Sequence, residues 1–142
     1  KSPSPTFNCV GPAGVGTGSL AGMRALHQLS SFAHIWPFDD PDTLSRPLHL
    51  VEIFPSYYFA LAGIKPVNEA HGERENINQA LACFGSEPVS ADFKANGPDH
   101  DDADALISAA ALRWFSDQSD FWAVPADARA EGWIFGVKSA TP

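Results

Sequence analysis

Cysteine is scarce in this chain. The two present, Cys9 and Cys83, form no C-x-x-C pair and no ligand-like spacing. That counts against a disulfide framework or a cysteine-based zinc site. It predicts a reduced, cytoplasmic protein whose thiols pack rather than react. Basic residues are few as well: nine Lys and Arg stand against 17 Asp and Glu, a net charge of −8. A broad electrostatic grip on nucleic acid usually leaves a basic patch, and this balance argues against one. A metal-dependent site survives that argument, because a bound cation reverses the local sign. No apolar run approaches the ~18 residues that a membrane-spanning helix needs, so no membrane partner is expected. No basic and apolar signal-peptide pattern opens the sequence.

What is there reads as globular. The 142 residues are 44% hydrophobic and 18% charged, a composition that folds around a core rather than staying disordered. The expected organisation is a single domain over 1–142. Lys1 is not an initiator methionine and KSPSP reads as an extended connector. The expectation is a piece of something longer, lacking its first strands.

Residues 1–18 are rich in Pro, Gly, Ser and Thr and read as loop. Gly11 to Gly16 has the spacing of a phosphate loop, but Thr17-Gly18 stands where Lys-Ser/Thr is required. The stretch therefore reads as a helix entry capped by Thr17 or Ser19. Leu20, Met23, Leu26 and Leu29 recur at spacings of three, which predicts a helix over 20–29. HIWPF (34–38) reads as an edge strand or strand end because of Pro37, and LHLVEIFP (48–55) as a better strand. Helices are expected over 56–63, 74–85 and 101–117, and a last strand over 132–137. GIKPVNEAHG reads as loop and 86–100 as a mobile, polar connection. The pattern predicts an α/β fold with an incomplete sheet and flanking helices.

Two acidic features carry chemistry. The first is DHDDADALISAAALRWF, residues 99–115. Stepping about 100° per residue from Asp101 gathers Ala103, Leu106, Ile107, Ala110 and Trp114 on one side, the expected buried stripe. Asp101 and Asp104 are one turn apart on a shared face, and Asp104 lies at the margin of the stripe. Capping is the plainer explanation, since a helix N-terminus attracts carboxylates, with Asp99 or Asp101 as the cap. The second feature is Glu52, in a strand apolar on both faces. A carboxylate buried there has to be paired, protonated or metal-bound, whereas on an edge strand it faces water. Together Glu52, Asp101 and Asp104 offer oxygen ligands for Mg²⁺ or Mn²⁺. Carboxylate-held divalent ions suit phosphodiester hydrolysis.

VEIFPS, then HDDADALISAAALR, then EGWIFGV, with KSP…VGTGSLAGM…IWPFD upstream, resembles an uncharacterised bacterial family of predicted ribonuclease H-like nucleases. That family is related in fold to the Holliday-junction resolvases. The resemblance implies a ribonuclease H-like α/β sheet with a carboxylate metal site. Glu52 matches the acid at the end of the central strand, and Asp101 and Asp104 match the acid pair opening the last helix. All three are thereby implied as catalytic metal ligands, with nucleic acid as the partner. The chain departs from the pattern in one respect: nothing in 1–33 matches the family's further acid on its first strand. Absent strands would leave an unpaired sheet edge, which predicts self-association as a homodimer. A non-catalytic interaction module on the same fold is the rival expectation, and an actin-like ATPase a third.

The remaining candidates are weaker. His27, His34, His49, His71 and His100 show no H-E-x-x-H spacing and read as surface or interior polar residues. His100, beside the acid pair, could also meet phosphate or metal. Ser56 has no G-x-S-x-G elbow around it. Trp114 and Trp133 read as core.

Overall fold

The computed structural model describes residues 15–39, 48–65, 68–96, 100–126 and 128–138. Lys1, Cys9, the first glycines of the loop and Asp99 lie outside them. The chain divides into two compact units, 1–50 and 51–142. The fold class is mixed α/β with helix dominant, and the sheet among the described residues has two strands. No helix among these residues is long and apolar enough to cross a membrane.

The first unit holds helix α1 (Val15–Leu29) and strands β1 (Ala33–Ile35) and β2 (Leu48–Leu50). α1 starts upstream of the expected bound, so Thr17 and Ser19 lie inside it and do not cap it. Leu20 and Met23 are exposed, since none of the described residues covers that part of the stripe. β1 and β2 pair in parallel with His34 opposite His49, whose rings stack at 5.1 Å. All three residues of β1 are buried. Past Ile35 the Trp36 N–H still donates to the Leu50 carbonyl, and the chain turns away at the Trp36–Pro37 bond.

The second unit is built on α5 (Asp101–Ser116), which packs against α2 (Pro55–Leu61), α3 (Asn68–Gly72) and α4 (Arg74–Cys83). Its inner face is lined by Ala103, Ile107, Ala110, Ala111 and Phe115. The alanines keep that face flat, so neighbouring helices approach closely. Beyond them an aromatic cluster forms: Tyr58, Phe84 and Phe121 all meet the Phe115 ring, with centroids 6.0, 5.7 and 4.4 Å away. Edge and tilted contacts of this kind add to the area they bury. Arg113 reaches out of α5 and donates to the carbonyls of Phe84 and Gly85, which satisfies acceptors left open at the end of α4.

Several expectations are corrected. The strand read over 48–55 ends at Leu50, because Pro55 serves as the first residue of α2, where its missing N–H costs nothing. What remains beyond it is one parallel bridge, Glu52 to Ile134. GWIFGV is no longer a strand than that bridge, since Gly132 and Gly136 both take positive φ and turn the chain. NEAHG, read as loop, contains the short helix α3, and a 3₁₀ turn (Ser119–Phe121) and α6 (Ala128–Glu131) complete the order. Residues 86–96 are irregular but tied to the helices by hydrogen bonds. Val89 N–H donates to Asn78, Arg74 donates to the Ala91 carbonyl, and Asn96 N–H donates to the Asp102 carboxylate. Trp114 is 44% exposed, and so is not core. Cys83 is an exposed free thiol rather than a packed one.

Candidate functional site at the head of α5

The first turn of α5 carries Asp101, Asp102 and Asp104. The helix dipole and free N–H groups there favour negative charge. The capping expectation fails in detail. The cap position is His100, in the left-handed region at φ 59, and its side chain makes no capping hydrogen bond. Asp102 has a structural task, since both its oxygens accept from the Asn96 N–H at 2.8 and 3.0 Å. That leaves Asp101 and Asp104 as the pair without such an anchor, the two singled out by helical spacing.

Two imidazoles close on this pair, His71 from α3 and His100 from the cap position of α5. His71 is buried, 2% exposed, and its Nδ1 stands 3.5 Å from Asp104 Oδ1. Its ring stacks on Phe59 at 4.0 Å with only 10° between the planes. The His100 ring lies directly over Gly72: a Cβ there would come within 2.6 Å of it. A glycine at the end of α3 is thus what lets the His100 ring settle against that helix.

The polar atoms at this spot are under-satisfied. His71 Nε2, His100 Nδ1, Asp104 Oδ1 and Ser108 Oγ are all buried without a hydrogen-bond partner among the described residues. Buried polar atoms are usually paired, so four such atoms on α3 and α5 form the most incomplete part of the second unit. Burial raises the Asp104 pKa above the ordinary carboxylate value. The His71 imidazole opposes that rise, the Asp101 carboxylate adds to it, and His100 opposes it weakly. Asp104 is therefore held in a place that favours a proton or a cation beside it.

Glu52 is placed differently from the expectation of a buried strand acid. It is exposed, and its carbonyl accepts from the Phe135 N–H at 2.9 Å. It borders a shallow cleft of about 400 Å³ with Glu131, Gly132, Trp133, Ile134 and Val137. The charges that act on Asp104 are His71, Asp101 and His100, and Glu52 is not among them. Among the described residues, no group of three or more His, Cys, Asp or Glu side chains is arranged to hold a metal ion. So the structure gathers Asp101 and Asp104, adds His71 and His100, and leaves Glu52 outside that cluster.

His71 is the residue that sequence reading passed over. It lies in a segment with no periodicity, and its partner is far along the chain, so only tertiary packing brings the two together. Comparison with protein-family models, curated proteins and solved structures finds no match for this chain.

Proposed function

We propose that the Asp101–Asp104 pair anchors a divalent cation, Mg²⁺ or Mn²⁺, in a nuclease of ribonuclease H-like type. The observation that carries this reading is the partly buried Asp104 carboxylate, whose Oδ1 faces His71 while the Asp101 carboxylate acts on it from one turn away on the same helix. Two like charges one helical turn apart are costly unless a cation or proton sits with them. The donor set fits a hydrated Mg²⁺, which takes one or two carboxylates and completes its shell with water and substrate phosphate. When bound, such an ion supplies Lewis acidity at a phosphoryl oxygen and a water of lowered pKa. The chain's own contribution is to hold two carboxylates one turn apart on α5, with Asp104 partly buried beside His71. The order of acids along the sequence, which resembles that of the predicted nuclease family, supports the same reading.

The test is hydrolysis of branched, duplex and single-stranded DNA and RNA with Mg²⁺ or Mn²⁺. Cleavage is expected, and Asp101→Asn and Asp104→Asn should each reduce it on the order of 10²-fold or more, the scale of losing a charge-stabilising group. No cleavage of any substrate, or cleavage indifferent to both substitutions, contradicts the proposal. A second reading, a non-catalytic interaction module, is favoured by the exposed apolar side chains, Phe32, Phe38 and Leu48 in the first unit and Ile53, Phe54 and Trp114 in the second. Exposed apolar surface of this extent suits a partner, and inactivity on every substrate would favour it.

A further inference from the structure

We infer that His71 is a positioning residue that orients the Asp104 carboxylate through its Nδ1–H; this rests on reading Asp104 as a cation ligand. Three observations carry it. His71 is nearly inaccessible, so a surface role is excluded. Its Nδ1 stands 3.5 Å from Asp104 Oδ1, while Nε2 has no hydrogen-bond partner among the described residues. Its ring is held flat on Phe59, which is itself fully buried on α2. The Asn76 amide donates to the Ala70 carbonyl at 2.8 Å, which ties α3 to α4 beside the histidine.

The tautomer follows from the surroundings. An ionised carboxylate only accepts, so a lone pair on Nδ1 facing Asp104 would be repelled. Placing the proton on Nδ1 turns that contact into attraction and leaves the lone pair on Nε2. The 3.5 Å separation is longer than a formed hydrogen bond. A small rotation of Asp104 toward the imidazole closes it and leaves the second oxygen for the cation. Partners that hold a ligating carboxylate in this way typically affect metal affinity about 10- to 100-fold when lost.

Mn²⁺ titration of the full chain tests the inference with two variants. His71→Phe keeps an aromatic ring on Phe59 and removes the donor. His71→Asn supplies an amide N–H near the place of Nδ1. Affinity for Mn²⁺ should fall about 10- to 100-fold in His71→Phe and recover in His71→Asn. A purely structural role would not separate the two in that order. Equal affinity of His71→Phe and the parent protein overturns the inference while leaving the cation site standing. If the parent protein binds no Mn²⁺, the reading of the site fails, and the imidazole ¹⁵N spectrum then decides. A His71 Nδ1–H signal that moves on Asp104→Asn supports the coupling, and one that does not move overturns it.

Discussion

Gly136→Ala is expected to destabilise the protein by about 2–5 kcal/mol, the sum of backbone strain and overpacking. Gly136 sits at φ +87, where an L side chain is strained. A Cβ there would also stand 2.5 Å from Phe115 Cε2 and 2.6 Å from Cδ2. The ring has no room to retreat. Phe115 is 4% exposed and wedged among Tyr58, Phe84 and Phe121. Gly85→Ala is the internal control. Gly85 is also at positive φ, and its nearest atom is Trp114 Cζ3 at 3.2 Å, but Trp114 is 44% exposed and can swing away. Its cost should stay near the strain alone, about 1–2 kcal/mol. Urea denaturation reads both. Equal losses in the two variants would mean that the Phe115 cluster is looser than described.

Tyr58→Ala is the second large effect, at about 3–5 kcal/mol, the usual range for emptying a fully buried aromatic site. Tyr58 has no exposed surface, and its hydroxyl donates to the Phe135 carbonyl at 2.8 Å, joining α2 to the segment after Ile134. Tyr58→Phe keeps the ring and should cost about 0.5–1.5 kcal/mol, the usual net worth of one hydrogen bond. The phenol also titrates abnormally: burial is the largest cause pushing its pKa up, from 10.0 to about 12. A folded pKa above the unfolded value means the contribution is complete below pH 10 and is lost as pH rises toward 12. The parent protein should therefore lose stability across that window more steeply than Tyr58→Phe. Parallel alkaline profiles for the two proteins would contradict the burial of this hydroxyl.

How much of this was readable beforehand depends on where the information lies. α5 is legible because its acidic first turn and its apolar spacing act within one helix, and the expected 101–117 differs from the observed bounds by a single residue. The Asp101–Asp104 pairing is legible for the same reason. Trp114 shows the limit of a helical wheel: it gives the direction a residue faces, but not whether anything stands opposite. In the last turns of α5 it stays 44% exposed. The strands were over-read because apolar runs with flanking glycines look alike whether those glycines bound a strand or turn the chain at positive φ. Glu52 followed that error: with no strand continuing through it, there is no second face to bury it. His71 left no local trace at all, since its stacking on Phe59 and its approach to Asp104 are made by three separate helices.

Asp101 and Asp104 are proposed to meet around a cation at the head of α5. The most direct test is paramagnetic broadening of amide and side-chain NMR signals by substoichiometric Mn²⁺. The account predicts that residues 101–104 and His71 broaden first, and that Asp104→Asn abolishes the effect. Broadening confined to other acidic surfaces, or none at all, would contradict it.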